Sequence, residues 1–248
     1  MSSTSETGHA KNVANYEKLI ADVTALGVTY NPSKANLKLT AMNAQLTAAK
    51  TAVSAVNSAE PAYKNAVSAR DAAFKPLDKL ITRVSNALKA SDTTQQVIDD
   101  ATTLVRKLQG RRSTPKMTEA GKQEAEAQGK KVVEVSASQR SYDNRLDNFD
   151  KLIKLLASVP AYAPNEADLK VTALTTLLND LKAKTSAVSV AEMPLINGRI
   201  SRNDLLYKPS IGVVDTSVDV KTYVKSVYGT SSPQYKAISG LKFTSPRL

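Results

Sequence analysis

Residues 39–88 read LTAMNAQLTAAKTAVSAVNSAEPAYKNAVSARDAAFKPLDKLITRVSNAL. Leu39, Met42, Leu46, Ala49, Val53, Val56, Glu60, Tyr63, Val67, Arg70, Phe74, Leu77, Ile81, Val84 and Leu88 follow one another at alternating steps of three and four. That spacing is the seven-residue repeat of a helical seam, with Glu60 and Arg70 as its two charged members. An unbroken helix of about 55 residues would be roughly 80 Å long. Pro61 and Pro76 each lack a backbone donor and crowd the preceding turn, so the seam predicts kinks or short breaks near Glu60 and Lys75.

The same pattern occurs a second time. Shifting the chain by 132 residues lays Tyr30–Asn57 over Tyr162–Ser189, and 12 of the 28 positions are then identical. They include Tyr30/Tyr162, Pro32/Pro164, Leu37/Leu169, Lys38/Lys170, Leu46/Leu178 and Val56/Val188. Upstream, Tyr16-Glu17-Lys18-Leu19-Ile20 matches Phe149-Asp150-Lys151-Leu152-Ile153 across one gap. Downstream, Arg70 and Phe74-Lys75-Pro76 match Arg202 and Tyr207-Lys208-Pro209. Ordered identity over this length implies two copies of one helical unit. The expected organisation is a disordered N-terminus over 1–11, repeat 1 over 12–110, a basic polar linker over 111–134 and repeat 2 over 135–245.

Each copy opens with a moderate amphipathic helix. Val13, Tyr16, Ile20, Val23 and Leu26 share a face ahead of Gly27, and Tyr142, Leu146, Phe149, Ile153, Leu156 and Val159 share one ahead of Pro160. Pro32-Ser33 and Pro164-Asn165 follow, which makes Ser33 and Asn165 the expected N-caps of the long helices. In the second copy the seam continues through Val171, Leu174, Leu178, Leu181, Thr185 and Val188. Pro194, Gly198, Pro209 and Gly212 then predict several shorter helices. Val97, Ala101, Leu104, Val105 and Leu108 form a last stripe closed by Gly110. Val218, Val220, Tyr223, Val224 and Val227 form its counterpart, closed by Gly229. Ser232-Pro233 can start a short terminal helix, and the tail from Phe243 is expected to fray. The fold class read from these features is all-α. It is an elongated antiparallel helical bundle or coiled coil, made of two tandem helix–long helix–helix units with internal pseudo-twofold symmetry.

Composition narrows the chemistry. The chain has no cysteine, which removes thiolate nucleophiles and sulfur-ligated zinc or iron. Its one histidine, His9, stands in the polar N-terminal stretch, where no triad, metal cage or histidine base is expected to be held. No run of 18 apolar residues spans a bilayer, and the first residues lack the pattern of a secretory signal. The location expected is therefore cytoplasmic, with no cofactor and no small-molecule substrate. Asp99-Asp100 and the set Asp143, Asp147 and Asp150 read as solvated helix faces, because Arg140, Arg145, Lys151 and Lys154 lie at pairing distance in sequence. No glycine-rich phosphate loop is present.

Lys and Arg number 34 against 23 Asp and Glu, a formal charge of +11. The surplus is densest in 111–131, with six basic against three acidic residues, and in 199–248, with eight against three. The stretches Ser141-Tyr142-Asp143-Asn144, Tyr162–Ala167 and Val224–Gly229, with Ser232–Lys236, resemble a family of uncharacterised bacterial proteins of similar length. That resemblance implies no function, cofactor or site.

The functional expectation is a non-enzymatic structural or interaction protein that works through its helical surfaces, as a homo-oligomer or with a protein partner. Its alternative is nonspecific nucleic-acid binding through the linker and the C-terminal region. Candidate contacts for an anion or a partner carboxylate are Arg70 and Arg202, which sit at seam positions ahead of an aromatic-Lys-Pro. Arg111, Arg112, Lys130 and Lys131 of the linker are candidates as well.

Overall fold

A computed structural model describes residues 7–111 and 140–245, with 118, 124, 127 and 128 between them, and every described element is helical. In chain order these are α1 (Thr7–Thr24), α2 (Leu39–Phe74), α3 (Leu77–Lys89) and α4 (Gln95–Gln109), then α5 (Tyr142–Ala157), α6 (Val171–Tyr207), α7 (Val213–Tyr228) and α8 (Pro233–Ser239). Most of the expected 111–134 linker lies outside the described residues. Residues 7–11, expected to be disordered, form the first turns of α1.

The long helices do not start at the predicted caps. Short 3-10 turns over Ala35–Leu37 and Ala167–Leu169 intervene. Lys38 and Lys170 are extended, with ψ of 141° and 143°. Their carbonyls accept the first helical bonds, from Met42 N–H and Leu174 N–H at 3.0 Å. The capping role therefore falls on the two lysines rather than on Ser33 and Asn165. What holds each turn is a buried tyrosine. Tyr30 Oη donates to Leu37 O and Tyr162 Oη to Leu169 O, both at 2.8 Å. Leu37 and Leu169 are buried beneath the turns.

The seam breaks where Pro76 predicts, since α2 ends at Phe74 and α3 begins at Leu77 with Pro76 at its N-cap. Pro61, in contrast, lies within α2. In the second copy the break expected at Pro194 and Gly198 does not occur, and α6 runs through both to Tyr207, whereas Pro209 and Gly212 do lie between α6 and the shorter α7 and α8. At Gly198 the missing side chain is what lets α6 approach α2. A Cβ there would stand 3.2 Å from Val56 Cγ2, so any side chain would push Val56 aside by a few tenths of an ångström, and a residue that weakens an isolated helix suits this close approach. Further along, Gln45 Nε2 donates to Ile211 O at 2.7 Å, so the two helices run antiparallel here.

The shorter helices end as their sequences indicate. Gly110 takes the left-handed conformation (φ 65°), with Arg111 N–H bonded to Arg106 O at 2.9 Å and Gly110 N–H to Lys107 O at 3.2 Å. Ser141 Oγ caps α5 by accepting from Asn144 N–H at 3.3 Å. Ser232 Oγ caps α8 by accepting from Tyr235 N–H at 3.1 Å, with Pro233 just inside the helix. The α7 stripe is rotated from its expected position. Val213, Thr216, Ser217, Val220 and Val224 are buried, while Val218 and Val227 are exposed. The tail, expected to fray from Phe243, is held at Phe243 and Thr244, and residues 246–248 lie outside the described residues. Asn12 clamps Thr244 from both sides, donating to its carbonyl at 2.7 Å and accepting from its N–H at 3.0 Å, and Phe243 packs on the core.

The chain forms two compact units, one made of residues up to Lys64 with those from Val190, the other of Asn65–Ser189. The second unit centres on Phe74, Leu77, Ile81, Val84 and Leu88. These pack with Val105 and Leu108 of α4, Phe149, Leu152 and Leu156 of α5, and Leu174, Leu178 and Leu181 of α6. The seam residues of 74–88 are thus buried against the shorter helices α4 and α5 and against the start of α6. In the first unit, Tyr16, Leu19 and Val23 of α1 pack with Met42, Leu46 and Ala49 of α2. Leu206 of α6 with Val213, Val220 and Val224 complete that core. Burying a Leu or Phe in either cluster contributes about 1.5–3 kcal/mol before entropy is counted.

Candidate interaction surface

Arg70 and Arg202 fall in different units. Arg70, in the second, lays its guanidinium carbon 3.8 Å from the centroid of the Tyr142 ring. That ring also meets Phe74 edge-on at 4.8 Å. Tyr142 Oη donates to Asp71 Oδ1 at 2.5 Å. This bond, with burial second, raises the phenol above its ordinary pKa. The arrangement is a cation stacked on an aromatic inside a hydrogen-bonded corner. Arg202, in the first unit, is 4 % exposed, and its Nε and Nη2 donate to Asn203 Oδ1 at 3.2 and 3.0 Å. Arg111 is exposed just past the end of α4. Arg112, Lys130 and Lys131 lie outside the described residues.

His9 is held in the fold, contrary to the expectation from its polar surroundings. Its Nδ1 lies 2.6 Å from Tyr207 Oη, and the side chain is 9 % exposed. Asn12 Nδ2 reaches the same phenol at 3.3 Å. One turn apart on α1, His9 and Asn12 converge on a single tyrosine of α6. This joins the first helix to the end of the second long one.

In the basic C-terminal region Lys221 and the tyrosines are engaged in packing, while Lys208, Lys225, Lys236 and Lys242 are exposed. Lys221 Nζ donates to the carbonyls of Leu241 and, at 3.3 Å, Ser239, and it lies 5.3 Å from the Phe243 ring centroid. Burial lowers its pKa. Tyr223 and Tyr228 bond to Asn31 N–H and Thr29. Tyr207, Tyr223, Tyr228 and Tyr235 pack on the core of the first unit.

The feature that packing does not use is on α6. Val190, Met193, Ile196 and Ile200 are 70, 54, 39 and 56 % exposed. At steps of three, three and four they form one stripe. The opposite side of the helix carries Leu195, Arg202 and Leu206, all buried. The other exposed large apolar residues, Val28, Ile211, Val218 and Val227, do not extend this stripe along α6. The sequence reading missed the stripe because it followed the inner seam alone, although a second 3-3-4 series was present in the same residues.

Ile200, Asp204 and Lys208 line two grooves. One, of about 520 Å³, runs past Asn197, Asp204, Lys208 and Ile211. The other, of about 450 Å³, runs past Asn203, Tyr207, Pro209 and Ser245. Among the described residues no helix is long and apolar enough to cross a membrane, and no three His, Asp or Glu residues gather as a metal would need. No family model matches the chain, and neither the curated proteins nor the solved structures compared with it give a match.

Proposed function

We propose that the protein is a non-enzymatic helical interaction protein that associates with itself or with another protein through an exposed helix face. The observation that carries this is the stripe Val190–Met193–Ile196–Ile200, apolar and exposed along one helix. Contiguous apolar surface of this kind typically marks an association site. Charges elsewhere on α1 and α2 are in part tied into local pairs, such as Lys50 with Glu17 and Lys64 with Glu60, at 2.6 and 2.7 Å.

The scaffold that presents the face is a duplicated one in this proposal. The 132-residue shift that relates the sequences also relates Tyr30–Leu37 to Tyr162–Leu169 and the start of α2 to the start of α6. Each unit then combines the first half of one copy with the second half of the other.

Light scattering behind a sizing column, at several loadings and at two salt concentrations, tests the reading. A multiple of 26.6 kDa that survives high salt supports association through apolar contacts. Salt-sensitive retention of labelled duplex DNA, without any protein assembly, would favour the nucleic-acid alternative.

A further inference from the structure

The stripe repeats with a period that suits its own reversal. Met193 and Ile200 are seven residues apart, as are Glu192 and Arg199. Seven residues are close to two turns, so each pair shares one line along α6. Met193 and Ile200 lie in the middle of the exposed face, and Glu192 and Arg199 lie along one edge of it. Both pairs are symmetric about Ile196 to within one residue. When two identical helices run antiparallel about a perpendicular twofold axis, an edge of one lies beside the same edge of the other.

Charge favours the same arrangement. Over 190–208 the exposed or half-buried charged residues are Glu192, Arg199, Asp204 and Lys208, two acidic and two basic. On a chain of net charge +11 this strip is locally neutral. Glu192 makes no ion pair among the described residues. The Glu60 carboxyl is held below its ordinary pKa chiefly by its bond to Lys64, with Arg199 adding the smallest part, and a guanidinium has donors for more than one carboxylate.

The fold itself does not call for apolar residues here. Extending the seam register along α2 and α6 equates Val190, Met193, Ile196 and Ile200 with Ser58, Pro61, Lys64 and Ser68, which are also exposed. The same positions of an equivalent helix are thus polar or proline in one half of the chain and large and apolar in the other.

We propose that this face of α6 is occupied by the same face of a second copy of the chain, antiparallel about a twofold axis beside Ile196. Met193 of each copy then covers Ile200 of the other, and Glu192 of each copy meets Arg199 of the other. This rests on the reading of the protein as an interaction protein and names its partner.

The test is sedimentation velocity on the full chain over a hundredfold concentration range, with circular dichroism on every variant. The expected result is a dimer for the wild type and at least tenfold weaker association for Ile200→Asp and Met193→Asp, both with unchanged helix content. Ser68→Asp, at the equivalent position of α2, is expected to associate like the wild type. Glu192→Arg is expected to weaken the dimer and Glu192→Arg with Arg199→Glu to restore it. A wild type that dimerises while Ile200→Asp and Met193→Asp dimerise equally well would overturn this face and leave self-association standing. Failure of the double charge exchange to restore a dimer weakened by Glu192→Arg would overturn the twofold register. A wild type that is monomeric at every loading would overturn the dimer and self-association together.

Discussion

Tyr30 and Tyr162 provide a matched pair of perturbations, one in each unit. Each phenol is buried, and each donates to a backbone carbonyl seven residues later at 2.8 Å. Tyr30→Phe and Tyr162→Phe keep the ring and its packing and remove only the donor, so the carbonyl loses that bond. An unsatisfied buried acceptor costs about 1–3 kcal/mol. Because the ring edge still shields the turn, about 1.5 kcal/mol is expected for each variant. In thermal unfolding that corresponds to a midpoint about 3–8 °C lower, depending on how many residues melt together. Tyr63, half-buried on α2, has no hydrogen bond among the described residues, so Tyr63→Phe is the control and should change stability by less than about 0.5 kcal/mol. Urea unfolding followed by circular dichroism measures all three. If either buried variant lay within about 0.3 kcal/mol of wild type, or if Tyr63→Phe cost as much as they do, the idea that these hydroxyls fix the turns ahead of the long helices would fail.

The same phenols predict sensitivity to alkali. Burial, as the largest cause, holds Tyr30 and Tyr162 up at about 12 and Tyr16 higher still, against about 10 for an unfolded tyrosine. A raised phenol stabilises the fold fully below pH 10, and the contribution is lost as pH climbs from about 10 to 12. After allowance for screening it is on the order of 2 kcal/mol per residue, read from urea midpoints at pH 8, 10 and 11. Gly198→Val should destabilise by about 1–3 kcal/mol because its side chain meets Val56. Gly198→Ala should be nearly neutral, its gain in helix propensity offsetting the 3.2 Å contact. Asn12→Ala removes both bonds to Thr244, and hydrogen exchange at the Thr244 amide should become at least about tenfold faster. Unchanged exchange there would mean that Phe243 alone anchors the tail.

Helix was legible in the sequence wherever one period ran undisturbed. The 3-4 steps from Leu39 to Leu88, the break at Pro76, the Gly110 cap and the Ser232-Pro233 start all rest on interactions within a few residues of the signal. Reading failed where a distant residue decided the outcome. Gly198 reads as a helix breaker until Val56 is placed against it. His9 reads as solvated until Tyr207, 198 residues away, takes up its Nδ1. Ser33 reads as a cap because nothing local shows that Tyr30 will bond Leu37 and move the helix start to Leu39. For the candidate surface, the inner seam was readable while the outer stripe at Val190–Ile200 went unread, since exposure depends on what the rest of the fold covers.

The division of the chain into Asn65–Ser189 and the two segments flanking it also bears on synthesis. A ribosome releases residues in order, at roughly 5–20 per second. All parts of the Asn65–Ser189 core have emerged once Ser189 has cleared the exit tunnel, so it can close while translation continues. The N-terminal helices must wait. Val13, Tyr16, Leu19, Met42 and Leu46 have no Leu206, Val220, Val224 or Ile238 to pack against until those residues are made. Ile238 is made 174 residues after Lys64, an interval of about 9–35 s at those rates. For that time the α1 and α2 apolar faces lack the partners that come from α6, α7 and α8, and of the two units the one begun first is the last to be finished.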